Sequence, residues 1–461
     1  MYLIGPGRVV SRDPEKPFIA EGAVVTDGGL IADVGAFSVL KKLYPKAEHI
    51  DARGGVIMPG LINAHTHFYS GLLRGFSIPG HKPTCHYENL AGKSWRLDRE
   101  LGFYDVAAAA YSGAINCVRN GITTVFDHHA GYGGVSGSLL VIAGAADEVG
   151  LRASLCYDTS CRCGFKSCSA AISENSDFID YCEAYNNDRI KPMFGLHAPF
   201  TLSDLTVSEC VRRNNGRVGF HIHVSESIDD SVVCMHNYGK SPIKRLFDLG
   251  VLSESSLLIH CVNTNDDELE LIRSAGPSVV NCPQSNMSNA VGTAKVLDML
   301  GNGINVGLGT DGFIYDMLET ARAFVLAQRS LYGKSYIGAK EASLMLFENN
   351  RLIAERSFGK GIGILRPGSP ADVIIMDYLP LTRMDETNYD DHILFGMNGG
   401  QCRFTMAAGR ILMLDGKLVT VKEDEITERI TRSADALWKR LAESDKPVWI
   451  PSFNILEGSA E

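Results

Sequence analysis

His65 and His67 stand two residues apart in the stretch Met58-Pro59-Gly60-Leu61-Ile62-Asn63-Ala64-His65-Thr66-His67. Side chains alternate along an extended segment, so Leu61, Asn63, His65 and His67 share one face. Two imidazoles placed in this way can converge on one cation, because a neutral ring nitrogen is a good ligand for zinc and related metals. Pro59-Gly60 is a turn signal, so a strand begins there and carries both histidines at its carboxyl end.

The chain has thirteen histidines. Eight of them (His65, His67, His128, His129, His197, His221, His223 and His260) lie in or directly after segments that read as strands. A single such histidine is more often a satisfied core residue, but eight gathered at strand ends point to a metal or acid-base site. His221-Ile222-His223 repeats the same-face spacing, and on spacing alone either ring could reach the cation. Glu226 follows three residues after His223, past the strand end. Strand ends also occur at His260-Cys261 and at Gly307-Leu308-Gly309-Thr310-Asp311-Gly312. The glycines let backbone crowd a site and aim Asp311 into it, although an Asp-Gly pair alone is usually a surface turn.

The elements that must position these groups read as eight strands: Leu61–His65, Thr123–Phe126, Ala153–Tyr157, Met193–Leu196, Val218–His223, Leu257–His260, Val279–Asn281 and Val306–Leu308. Helical patterns such as Tyr104–Arg119, Leu139–Glu148 and Ile243–Leu249 lie between them. Alternation of this kind predicts an α/β fold, a (β/α)8 TIM-type barrel over residues 58–361 with its site at the carboxyl ends of the strands. Residues 1–57 and 362–423 are rich in short strands and turns, and neither piece can bury a core alone. They predict one small β-sandwich module built from both chain ends, followed by a helix, Glu425–Leu441, and a tail over 424–461.

Composition narrows the partners. A net charge of −10 over 461 residues, with no basic run, argues against nucleic acid or an anionic membrane. No apolar stretch approaches the roughly 20 residues that span a bilayer, and the first residues lack the apolar core of a signal peptide. Twelve scattered cysteines read as reduced thiols in the cytoplasm. Cys161, Cys163 and Cys168 match no standard cluster spacing and read as thiols of a surface loop.

The motif order resembles the amidohydrolase superfamily. The pieces that carry it are Pro59 to His67, His221-Ile222-His223 with Glu226, His260-Cys261, Gly307 to Asp311, and Pro367-Gly368-Ser369-Pro370-Ala371-Asp372. Within it the chain is similar to the metal-dependent deaminase branch of guanine, cytosine and triazine aminohydrolases. His67 to Gly75, Trp95 to Arg99, Asp127-His128-His129, His197 to Thr201 and Ser285 to Met287 resemble an aminohydrolase group associated with bacterial selenium-dependent purine catabolism.

The resemblance implies that His65, His67, His223 and Asp311 hold one divalent ion, zinc first with iron or manganese as alternatives, and leaves His221 behind the ligands. Binuclear members carry a modified lysine at the end of strand four, where this chain has Leu196-His197-Ala198; one metal is therefore expected. By the same resemblance hydroxide generated at the metal attacks a nitrogen heterocycle such as a purine or pterin and ammonia leaves. Asp311 takes the water proton, Glu226 protonates the ring nitrogen, and His260 orients the nucleophile. His128, His129, His197, Tyr69, Arg74 and Asn286 are the expected substrate contacts, under a lid over Phe68–Gly92. A homodimer is expected. A ring-opening cyclic amidohydrolase of purine catabolism is the alternative, and a barrel scaffold without catalysis is disfavoured by the full ligand set.

Overall fold

The structure is a computed structural model that describes residues 1–78 and 81–444. Pro79 and Gly80 of the expected lid, and residues 445–461 of the expected C-terminal tail, lie outside the described residues.

The middle of the chain forms two all-parallel sheets. One contains Leu61–Thr66, Ile122–His129, Arg152–Tyr157 and Ile190–Pro192; the other contains Phe194–Leu196, Phe220–Val224, Leu257–His260, Ser278–Asn281 and Val306–Leu308. A parallel sheet is covered on both faces, which is why runs such as Leu257-Leu258-Ile259 and Val279-Val280 are continuously apolar and buried. Ile190–Pro192 and Phe194–Leu196 are two halves of the fourth strand, interrupted at Met193, whose N–H still reaches Leu155 O at 2.9 Å. The two sheets join at both margins, through parallel bridges between Thr66 and Asp311 and between Thr159 and Leu196. The eight strands thus form the (β/α)8 barrel, and both joints lie at its carboxyl rim.

The two chain ends share one sheet of nine strands. Its seam is the antiparallel pairing of Val56–Pro59 with Val373–Met376, Val373 opposite Pro59 and Met376 opposite Val56. Ile4, Val24, Ile57, Val373, Ile375 and Phe404 meet in a core separate from that of the barrel. The strands expected as a sandwich are therefore one continuous hydrogen-bonded sheet. Module and barrel are pinned together by the buried ion pair of Arg152 with Asp372.

Helix Glu423–Glu443 buries Ile426, Leu437 and Leu441 against the barrel. Its Trp438 Nε1 donates to Leu72 O at 2.7 Å and so ties the helix to the segment over the barrel mouth. Among the described residues no helix is long and apolar enough to cross a membrane.

Candidate active site

His65 is the last but one residue of the first barrel strand and His67 follows directly after that strand, facing Asp311 from the loop after the eighth strand. Gly309 makes this approach possible, since a Cβ there would lie 2.8 Å from His65 Cβ and 2.9 Å from His65 O. Strain gathers at the same rim: Ser225, His260, Cys261 and Asp311 are non-glycine residues with φ of +50°, +76°, +49° and +55°. Each costs of order 1–3 kcal/mol and persists only where its surroundings fix it.

Ring nitrogens of His65, His67 and His223 lie within 4.8 Å of one another, and those of His65 and His260 lie similarly close to an Asp311 oxygen. His67 Nε2 is 3.2 Å from His223 Nε2 and 3.2 Å from Asp311 Oδ1. His67 Nδ1 donates to His128 O at 2.5 Å, and His223 Nδ1 donates to His197 O at 2.8 Å. A carbonyl only accepts, so each Nδ1 carries a hydrogen and each Nε2 faces the common point, where, once free of a proton, its lone pair can bind a cation. His65 Nδ1 lies 2.9 Å from His221 Nε2, while its own Nε2 has no hydrogen-bond partner. His221 thus orients a candidate ligand from behind.

Burial, and then neighbouring imidazoles, push the His65 pKa well below its usual value and that of His223 down to about 4. Burial also opposes charge on His67, but the hydrogen bond and charge of Asp311 prevail and raise it to about 9. The cluster calls for one positive charge at the point where the lone pairs meet. Three imidazoles, with the His67 proton displaced, and a carboxylate around such a point fit a divalent cation of the zinc type.

Glu226, half-buried beside the cluster, has Oε2 at 3.5 Å from His260 Nε2 and 3.1 Å from His86 Nε2. Its Oε1 accepts from Asn289 Nδ2 at 3.2 Å. Burial pushes the Glu226 pKa up, but the charges of His260 and His86 outweigh it and hold the carboxyl below its usual range. His260 Nδ1 donates to Asn286 Oδ1 at 2.8 Å, and its Nε2 also lies 3.6 Å from Asp311 Oδ2. Ser285 Oγ donates to that Asp311 oxygen at 2.6 Å.

These groups open on a cavity of about 250 Å³. Tyr69, Arg74 and His197 line it, with Trp95 and Phe200 forming an aromatic wall beside His197. His128, His129 and Asn286 do not. The second strand runs on to His129 rather than stopping at Phe126, so both histidines sit within the barrel wall. His128 is packed against the rings of His223 (4.7 Å) and His221 (4.9 Å), and His129 lies between Tyr69 and Tyr157. Asn286 turns to His260, while Ser285 and Asn289, one helical turn apart, face the cavity.

Sequence reasoning missed His86, which comes from the short helix His86–Asn89 over the mouth. It also missed Arg162, whose Nη2 donates to Asp98 Oδ2 at 2.6 Å and Nη1 to Asp158 Oδ1 at 2.9 Å. Neither has a periodic signal; only the turn-rich length of 68–92 marked the first region as functional. The cysteines near Arg162 are not surface thiols: Cys168 is buried and Cys161 half-buried, their sulfurs 3.5 Å apart. Cys168 belongs to the first turn of helix Phe165–Tyr185, and Cys161 Sγ lies 3.2 Å from Thr206 Oγ1 of the following helix.

The sequence model described as "Amidohydrolase family" matches residues 56–412. A 5'-deoxyadenosine deaminase of Methanosarcina mazei is 30% identical over 447 residues, covering 95% of this chain and 99% of that protein. A 5-methylthioadenosine/S-adenosylhomocysteine deaminase of Thermococcus sibiricus is 30% identical over 420 residues, covering 89% and 94%. The crystal structure of an adenosine deaminase from Xanthomonas campestris with bound zinc superposes with a TM-score of 0.84 at 20% identity, covering 95% and 98%.

Proposed function

The chain belongs to the amidohydrolase family, and from that premise we propose that it is a metal-dependent deaminase of a purine-class heterocycle that releases ammonia. The observation that carries this reading is one juxtaposition. Three Nε2 lone pairs and Asp311 converge on a point beside Glu226, which is held ionised. His65, His67, His223 and Asp311 would hold one divalent ion, with zinc the first choice and iron or manganese the alternatives. An ion of this kind lowers the pKa of a water to about 7 and so supplies a nucleophile at neutral pH.

The chain's own residues then move protons. Asp311 accepts the proton of the attacking water. His260 Nε2 stands between Asp311 Oδ2 and Glu226 Oε2 at 3.6 and 3.5 Å, a distance that a bound substrate would tighten. Glu226, ionised in the free protein, first takes a proton and then delivers it to the ring nitrogen beside the attacked carbon. Both protons come from the water: the one that reaches Glu226 goes to the ring nitrogen and the other passes from Asp311 to the amine, so the carbon–amine bond breaks, a ring carbonyl forms, and nitrogen leaves as ammonia. Trp95, Phe200 and Tyr69 give the ring flat surfaces to pack on.

Purine nucleoside deaminases among the relatives support the purine class. The reading extends to a cytoplasmic homodimer in purine catabolism, in keeping with twelve unpaired cysteines. A ring-opening amidohydrolase would use the same groups, and only the leaving group differs. Incubation of the metal-loaded enzyme with aminopurines, adenosine nucleosides and aminopterins decides between them. Ammonia formed with the ring chromophore retained is expected; loss of ring absorbance without stoichiometric ammonia would overturn deamination.

A further inference from the structure

The cavity wall at the end of the third strand carries a charge network that the deamination chemistry leaves unused. In a ring of eight strands the third faces the seventh. Asp158, which follows the third, therefore lies across the mouth from the strands that bring His260 and Asp311. Arg162, its side chain only 2% exposed, binds Asp98 and Asp158 and lies over the rings of Tyr132 (4.8 Å) and Trp95 (5.5 Å). One guanidinium is shared between two carboxylates, and the charge of Arg99 also acts on Asp98. A buried arrangement of this kind is no more stable than well-packed apolar residues would be, so stability alone does not account for it.

The two carboxylates differ in where they face. Asp98 is outside the cavity lining, whereas Asp158 and Arg162 belong to it. Asp158 is 2% exposed, and Oδ1 is taken by Arg162. Its Oδ2 makes no hydrogen bond among the described residues; His128 Nδ1 lies 3.8 Å away. Burial works against charge here, yet Arg162, His197 and His223 hold the carboxyl below its usual range. An ionised carboxylate only accepts hydrogen bonds.

We propose that Asp158, fixed by Arg162, determines specificity by accepting a hydrogen bond from an N–H or O–H of the substrate, on the edge away from the reacting carbon. The class of substrate is then a heterocycle with a donor on that edge. The donor is either a ring N–H of a free base or a hydroxyl of an attached sugar. The proposal rests on the deaminase reading for the orientation of the ring, and its test reads binding alone.

Titration calorimetry of the metal-loaded enzyme with four ring-oxo probes gives that test: hypoxanthine against 9-methylhypoxanthine, and inosine against 2',3'-dideoxyinosine. Loss of a hydrogen bond to a charged group is expected to weaken binding about 10- to 100-fold within one pair, and the pair that responds names the donor. Asp158→Asn should bring that ratio to within about 3-fold with metal content unchanged. Asp98→Asn, which equally takes a carboxylate from Arg162, should keep the ratio, whereas a purely structural network would give the same result for both variants. If Asp158→Asn does not fold, Asp158→Glu keeps the charge for Arg162, displaces the acceptor and should still reduce the ratio. A wild-type enzyme that binds none of the four or discriminates in neither pair overturns the proposal, as does an undiminished ratio in the Asp158 variants. Ammonia release from adenine and adenosine is read separately. Lost discrimination without ammonia would refute the deaminase reading and leave the role of Asp158 intact.

Discussion

Two clusters of buried ionisable groups border the same cavity, and they balance their charge in opposite ways. Around Asp311 the partners are imidazoles: burial keeps His65 and His223 neutral, and only His67, raised to about 9 by Asp311, can carry a proton that an entering cation would displace. Around Asp158 the cation is Arg162, permanently charged and already paired with two carboxylates. The first cluster is built to be completed by something that enters. The second is complete within the chain and leaves one carboxylate oxygen over. Chemistry belongs to the first and recognition to the second.

The sharpest way to break that division is at Asp311. Asp311→Ala removes a candidate ligand and a proton acceptor together, so metal content should fall and kcat/KM should drop by about 10⁴-fold or more. Elemental analysis and an ammonia assay check both. Glu226→Gln should keep the metal and lose about 10²–10⁴-fold in rate, the usual worth of one positioned proton transfer. Metal loss in Glu226→Gln would place Glu226 among the ligands and erase the distinction.

A smaller effect, of another kind, is expected at Arg162. Arg162→Ala leaves Asp98 and Asp158 buried without their cation, which should cost about 3–5 kcal/mol of folding stability. Metal binding should survive, because Arg162 touches none of the candidate ligands. Thermal unfolding of the metal-loaded variant measures the loss. Unchanged stability would mean that the second cluster does not depend on its own cation.

What could be read in advance follows the range of the interactions. His65-x-His67 and His221-x-His223 are local patterns with the period of a strand, and each apolar run marks its strand whatever the rest of the chain does. The paired chain ends were legible because neither has strands enough for a core. His128 and His129 misled because a strand end is a matter of two or three residues. Stopping at Phe126 would leave them in a loop, whereas the strand continues through them. Asn286 misled because helical geometry turns it from the cavity while Ser285 and Asn289 face it. The Arg162–Asp98 pair spans 64 residues, and the Arg74 contact to Phe313 O spans 239. No spacing rule links positions so far apart; only the closed barrel does.

His86 offers the finest test, because it reaches the first cluster from outside the barrel. Its Nε2 lies 3.1 Å from Glu226 Oε2, and burial opposes its charge while Glu226 raises its pKa above the usual histidine value. For Glu226 the signs run the other way: burial raises the pKa, and His260 and then His86 lower it. Glu226 must be ionised to accept its proton, so protonating it closes the acidic limb of kcat/KM. In the wild-type enzyme that limb should lie below the usual carboxylate range. His86→Gln takes away one of the two charges that hold Glu226 down, so the limb should move to higher pH. Plateau activity should suffer less than in Glu226→Gln, since His260 remains in place. A pH profile of the two enzymes, each metal-loaded, reads the shift directly. An unmoved limb would make His86 a packing residue of the segment over the mouth and leave His260 as the main control on the acid.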